Sequence, residues 1–317
     1  MSKPLIDVAA GLIFRPDGKM LLAERPAGKP WAGWWELPGG KIEPGETVLQ
    51  ALSRELKEEL NIDVTAATPW VTYTHDYEKR WVRLAFCRVT GWDGMAIGAE
   101  GQKLMWVNPN DPIAVGPLLP ATEPPLRWIK IPERYLISSI QSQANLPAFL
   151  EKLAQSLENK PTLVQFREPA WAANASADEV HDGFTQVLRC CRKMGAHCLI
   201  NSCHPEQWWP QADGVHFRAA DAHKIIGDKI AGRLTGASVH TADELAQARN
   251  LGADFAVMGH VLATPSHPGE PALGWARFAE LIRNAGLPVF AIGGQSTETL
   301  SQAKQHGAHG IAGIRYL

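Results

Sequence analysis

Gly40 to Ile62 reads GKIEPGETVLQALSRELKEELNI, and its apolar and acidic periodicities decide what the first part of this chain folds into. Leu49, Leu52, Leu56 and Leu60 recur at spacings of three and four, which predicts a helix from about Thr47 to Leu60 with one buried face. Glu55, Glu58 and Glu59 stand at i, i+3 and i+4, so the same helix carries three carboxylates on one side while Leu56 and Leu60 turn to the core. Like charges packed this way cost free energy on an isolated helix. A divalent cation removes that cost, and Mg²⁺ is a hard ion that takes oxygen ligands and shares its shell with substrate phosphates. Arg54 beside them is able to hold a carboxylate in a fixed geometry. Taken alone, E-x-x-E-E with Lys57 interleaved also describes an ordinary solvated helix face, so the flanking sequence has to decide.

Upstream, residues 5–15 and 19–25 are predicted as strands joined by the tight-turn signal Pro16-Asp17-Gly18, forming a hairpin. A short strand follows at Trp35 to Pro38, and alternating segments at 69–74, 81–90 and 103–107 complete a mixed sheet. Six prolines between 109 and 125 stop regular structure apart from a short helix at 125–130, and place a domain boundary near 131–133. Residues 1–131 then form one domain and 132–317 another. From Arg134 onward, short apolar strands (YLISS, TLVQF, HCLINS, GVHF, LTGASV, FAVMGH, VFAIGG, GIAGI) alternate with helical stretches at 147–158, 176–195, 242–251, 275–285 and 297–306. Eight strands in parallel βα order predict a closed (β/α)8 barrel lacking the last helix, whose final strand is expected to be covered by the N-terminal domain or a second subunit.

Composition agrees with two domains, since 317 residues exceed one ordinary core. With 31 basic and 33 acidic residues the net charge is −2, which provides no field for a nucleic-acid polymer but is compatible with a small anionic substrate held through metal. The start, MSKPLIDVAAGLIF, lacks signal-peptide order, and no apolar run reaches the roughly 18 residues of a membrane span. Five cysteines (87, 190, 191, 198, 203) are odd in number and follow no zinc spacing, His204 included, so reduced thiols and a cytoplasmic location are expected.

The acidic segment resembles the Nudix box, G-x5-E-x7-R-E-U-x-E-E-x-G-U with U aliphatic, at Gly40, Glu46, Arg54, Glu55, Leu56, Glu58, Glu59 and Ile62. Asn61 stands where that family has Gly, and Asn is the non-glycine residue that best tolerates a left-handed helix end. The resemblance implies an α/β Nudix sandwich in which Glu55, Glu58 and Glu59, with the Gly39 carbonyl, hold Mg²⁺ (Mn²⁺ as the alternative) or activate water, while Glu46 braces the loop and Arg54. WWELPGGKIEPGET is similar to the MutT 8-oxo-dGTP diphosphatases, as are Arg25, Arg80 and Ala99-Glu100-Gly101-Gln102. That likeness implies Glu100 as a further ligand or base from outside the helix, and Arg25, Leu37, Gly39, Gly40, Lys41, Arg80 and Thr122 as positions around the substrate. Leu37 replaces an aromatic residue, and Thr122 stands where the family has an Asn that reads the purine; a hydroxyl offers one donor and a shorter reach than an amide. The activity implied is conversion of 8-oxo-dGTP to 8-oxo-dGMP and pyrophosphate, a nucleotide-pool sanitation reaction that serves DNA repair, by a monomer or homodimer. Another diphosphate, such as a nucleotide sugar or a thiamine-pathway pyrophosphate, is the alternative substrate.

Residues 134–317 resemble thiamine-phosphate synthase and its non-synthase relative TenI in RYLISS, LVQFREP, LINS, ADGVHF, TGASVHTADELAQARNLGADFAVMGHVLATPSHPG and PVFAIGG. Gly259, Thr264, Gly293 and Gly294 follow strands, at the barrel end where backbone N–H groups bind phosphate. Gln165, Arg167, Asn201, Asp221, Thr264, Gly293 and Gly294 are the implied ligand positions. Three charged groups of the synthase are absent: Arg167-Glu168-Pro169 replaces Arg-x-Lys, Asn201-Ser202 replaces Asn-Asp, and His267 replaces a Lys. A lone Asp221 is a weak Mg²⁺ site, so the barrel is expected to lack synthase activity and to serve for stability or as a thiamine-phosphate-binding module, with His240 and His267 lining its mouth.

Overall fold

The computed structural model describes residues 3–158, 160–224, 232–266 and 268–314. The chain divides into two compact units, Met1–Ile131 and Pro132–Leu317.

In the first unit, β1 (Leu5–Ile13) lies between β4 (Gly39–Lys41), antiparallel, and β6 (Arg80–Asp93), parallel; β5 (Asp63–Tyr77) completes this sheet outside β6. A second sheet orders β3 (Trp35–Glu36), β2 (Met20–Glu24) and β7 (Leu104–Val107). The expected β1–β2 hairpin is corrected. The turn forms, with Arg15 N–H donating to the Lys19 carbonyl and Phe14 bridging Met20, but beyond it the strands part into different sheets. The cause is that β1 is apolar on successive residues and buried on both faces. Ala9 and Ile13 pack with helix α1 (Val48–Leu60), whereas Ala10 and Leu12 pack with Trp35, Trp70, Phe86 and the Trp128 of α2 (Glu123–Trp128).

Helix α1 starts at Thr47, whose side chain accepts from Gln50 N–H in a capping box, and stops at Asn61 in the left-handed conformation, φ 54° and ψ 36°. Ala51, Leu52, Leu56 and Leu60 are fully buried, each leucine contributing roughly 1.5–3 kcal/mol. Leu49 points along that face, as expected, but is 39% exposed, because it sits in the first turn of the helix, one turn before the buried Leu52–Leu56–Leu60 run.

The second unit is a closed, all-parallel barrel of β8 (Arg134–Ile137), β9 (Leu163–Phe166), β10 (Cys198–Asn201), β11 (Gly214–Phe217), β12 (Leu234–Val239), β13 (Phe255–Gly259), β14 (Val289–Ile292) and β15 (Gly310–Gly313). Closure pairs Ile311 of β15 with Arg134 of β8. Helices α3 (Leu146–Leu157), α4 (Pro169–Ala172), α5 (Ala177–Lys193), α6 (Ala242–Asn250), α7 (Trp275–Ile282) and α8 (Leu300–Gln305) lie in the strand connections. Tyr135, Phe255 and Phe290 fill the barrel interior, with Tyr135 and Phe255 edge to face at 5.4 Å. Among the described residues, no helix is long and apolar enough to cross a membrane.

Candidate functional site

Two glycines set how closely β4 approaches α1. A Cβ on Gly39 would lie 2.1 Å from the Ala9 carbonyl oxygen, and one on Gly40 would lie 2.2 Å from the Glu55 carboxylate. Only glycine lets the strand pass directly beneath the acidic helix face. Gly39 N–H donates to Glu59 Oε2 at 3.1 Å. Burial, reinforced by the negative charges of Glu36 and Glu100, pushes the Glu59 carboxyl up to about 7 despite that bond and nearby Lys29. Arg54 spans the neighbouring groups: Nε and Nη2 donate to Glu46 at 2.8 and 2.9 Å, Nη1 to Glu55 at 2.8 Å, and Nη2 also to the Lys41 carbonyl. That pairing, with the Glu43 amide, holds the Glu46 carboxyl down at about 2. Glu58 extends outward, 61% exposed, with one oxygen 3.6 Å from Arg54.

The expected convergence of Glu55, Glu58 and Glu59 is therefore only partial. Among the described residues, no three His, Cys, Asp or Glu side chains are gathered to hold a metal ion as they stand. Arg54 draws Glu55 back, Gly39 draws Glu59 inward, and Glu58 turns to solvent.

A second ring of charge borders this face. Arg25 donates from Nη1 to both oxygens of Glu36, at 2.6 and 2.7 Å, and from Nε to the Pro30 carbonyl. It fastens the loop between β2 and β3 rather than standing free. Lys29 on that loop pairs with Glu100 at 2.5 Å. Gln102 is buried, and its amide donates to the Glu59 carbonyl and accepts from the Glu100 N–H, both at 2.8 Å. Leu37 and Thr122 are buried, Lys41 is exposed, and Arg80 is exposed at the start of β6. Trp31, Trp34 and Tyr77 cluster beside Arg25 and Glu36, with Trp31 and Trp34 at 4.7 Å.

In the second unit a cavity of about 920 Å³ opens at the carboxyl ends of the strands, lined among others by Gln165, Arg167, His240, Thr264, Gly293 and Gly294. Gly293 (φ 92°) and Gly294 (φ 65°) are left-handed, and a Cβ on either would meet His260 or the Ala263 carbonyl. Beneath them runs a buried chain. Asn201 donates to Gln165, Gln165 to the Tyr135 hydroxyl, and Tyr135 meets His216 Nδ1 at 3.1 Å, while His216 Nε2 meets Ser238 at 2.9 Å. Asp221 accepts from Ser202 at 2.7 Å and Arg218 at 2.5 Å; burial would raise its carboxyl, but these partners outweigh it and the net shift is downward. His267 lies outside the described residues.

A NUDIX domain model matches residues 4–129, and a thiamine monophosphate synthase model, TMP-TENI, matches residues 134–317. The chain is a Nudix hydrolase fused to a member of the thiamine monophosphate synthase family. The Nudix part is 41% identical over 120 residues to the CTP pyrophosphohydrolase of Escherichia coli K12, covering 38% of this chain and 87% of that protein. It is 45% identical over 92 residues to an 8-oxo-dGTP diphosphatase of Proteus vulgaris, covering 29% of this chain and 82% of that protein. The barrel is 32% identical over 187 residues to a thiamine-phosphate synthase of Bacillus licheniformis, covering 57% of this chain and 80% of that protein.

Nudix hydrolases generally use a divalent metal, and this unit's donors fit one. Its acidic face offers only hard oxygen ligands, a glycine cradle brings Glu55 against the strand, and Glu36 and Glu100 burden the Glu59 carboxyl with negative charge that a cation would relieve. Glu36, Lys29 and Gln102 were not assigned from sequence, although Gln102 lies within a quoted motif. Glu168 was also missed: it is buried and accepts the N–H groups of Ile140 and Gln141 at 2.8 and 3.0 Å.

Proposed function

We propose that the Nudix unit hydrolyses nucleoside triphosphates to monophosphate and pyrophosphate with Mg²⁺, and that 8-oxo-dGTP is among its substrates. The observation that carries this reading is the Glu59 carboxylate, buried on the Gly39 N–H beside a Glu55 that Arg54 clamps across Gly40. Glu55, Glu58, Glu59 and Glu100, with the Gly39 carbonyl, supply the oxygens that hold the ion after side-chain rotation. The ion contributes neutralisation of phosphate charge and Lewis-acid polarisation. Glu59, held on the Gly39 N–H, would serve either as a ligand of the ion or as the group that takes a proton from water. Arg54 fixes Glu55, and Glu46 fixes Arg54. The rings of Trp31, Trp34 and Tyr77 supply a face on which a base can stack. Buried Thr122 offers little hydrogen-bonding reach to that base, which favours relaxed base selection over strict reading of oxidised guanine.

A panel of nucleoside triphosphates, CTP and 8-oxo-dGTP included, assayed with Mg²⁺ on wild type beside Glu58→Gln tests the proposal. Turnover of triphosphates, reduced by about two powers of ten or more in the variant, supports it. No triphosphate turnover, or preferential turnover of nucleotide sugars or thiamine-pathway pyrophosphates, refutes it.

The barrel supports a second reading, as a phosphate-ligand-binding module without synthase activity. Arg167 and the Gly293-Gly294 backbone face the cavity, whereas the Asp221 carboxylate is engaged by Arg218 and Ser202. Calorimetry of the whole chain with thiamine phosphate is expected to show binding that Arg167→Met weakens; no heat of binding would count against this module.

A further inference from the structure

We propose that Gln102 is the positioning residue that sets Glu100 against the metal face of α1. The inference rests on the reading above, in which Glu100 is a ligand from outside the helix.

A helix leaves its last four carbonyls without intrahelical partners. Here the Asn61 N–H takes that of Lys57, sharing it with Leu56, and the segment after β6 takes two more: Ile97 N–H donates to Leu60, and Ala99 N–H to Glu59, both at 3.0 Å. Gln102 Nε2 is a second donor to the Glu59 carbonyl, at 2.8 Å, and the Oε1 of the same amide accepts the Glu100 N–H, also at 2.8 Å. One planar group thus joins the main chain of Glu59 to that of Glu100. Gly98 lets the loop close on it, because a Cβ there would lie 1.9 Å from the Gln102 carbonyl oxygen and 3.1 Å from its Oε1.

The Glu100 carboxylate itself is 38% exposed and pairs with Lys29, exposed on another loop, an ion pair that solvent screens. The backbone position of Glu100 is what Gln102 determines, and its charge is felt at Glu59. Glutamine supplies both functions: glutamate keeps the acceptor but has no donor for the Glu59 carbonyl, and methionine fills the volume with neither.

The test is Mn²⁺ affinity of the full-length protein without nucleotide, read from the electron paramagnetic resonance of the free ion. Wild type, Gln102→Met, Glu100→Gln, the double variant and Glu58→Gln are compared. Gln102→Met is expected to weaken binding about tenfold or more, as loss of a residue that orients a ligand does, yet to add less than about twofold in the Glu100→Gln background. Amide exchange at Glu100 is expected to speed up in the same variant. Equal losses in both backgrounds, or no loss, overturn the inference, because Gln102 would then act through general stability. Silence of Glu100→Gln beside a clear effect of Glu58→Gln also overturns it, while silence of Glu58→Gln refutes the metal reading itself. Gln102→Ala repeats the comparison if the methionine variant does not fold.

Discussion

Mild acid should loosen the barrel through two histidines that its interior keeps neutral. His216 is buried between the Tyr135 and Ser238 hydroxyls; burial first, and the positive charge of Arg167 second, push it down to about 3. His204 is pushed down to about 4 by the same causes in the same order. Its Nε2 accepts the Glu168 N–H at 3.1 Å, so the hydrogen sits on Nδ1, which is buried without a partner among the described residues. Both groups bind a proton in the unfolded chain near pH 6.5 but in the folded chain only near 3 or 4, so stability rises with pH across that window and is lost as pH falls through it. At pH 5 each unfolded histidine has gained about 2 kcal/mol of protonation free energy that the native state does not share, about 4 kcal/mol for the pair. Hydrogen–deuterium exchange of β10 and β11 amides, corrected for intrinsic rates, should show protection falling about a thousandfold between pH 7 and pH 5. Replacing both histidines by glutamine should flatten that dependence. A wild-type change below about tenfold would show that the two imidazoles do not govern the barrel's acid sensitivity.

Gly40→Ala places a methyl group within 2.2 Å of the Glu55 carboxylate, so kcat should fall about tenfold or more with a raised Mg²⁺ requirement and little change in unfolding, read by kinetics and a denaturant titration. Asn61→Ala should cost about 1 kcal/mol of stability, because alanine resists the left-handed helix end, whereas Asn61→Gly should match or exceed wild type in the same titration. Lys29→Met should raise the KM for a triphosphate several-fold at nearly constant kcat: with Glu100 turned to metal, the ammonium is free for phosphate, and an exposed pair is worth at most about 1 kcal/mol to folding. Burial pushes the Cys87 thiol up to about 12, so it should resist a thiol reagent at pH 8 until the protein is unfolded, as mass spectrometry of labelled peptides would record.

What was readable in the sequence followed from patterns that are local in the chain. The α1 helix declares itself through its leucine spacing and its caps, and Asn61 takes up the left-handed turn that its chemistry allows. Eight barrel strands are readable because parallel strands buried on both faces appear as short continuous apolar runs. The separation of β1 from β2 was hidden because the partner of β1 is β6, with Leu5 opposite Trp81, and no neighbouring residue announces that pairing. Glu36, Lys29, Gln102 and Glu168 were hidden for the same reason, since each acquires its role from a loop or strand end distant in sequence. The acidic trio makes the distinction sharpest. A spacing of i, i+3 and i+4 dictates that three carboxylates leave one side of a helix, but where their oxygens settle depends on Arg54, on the Gly39 amide and on solvent. A helix face is a direction and an ion site is a point; the residues that convert one into the other lie in the loops, which is why the Glu100 segment and its Gln102 anchor carry as much of the chemistry as the helix that made the chain recognisable.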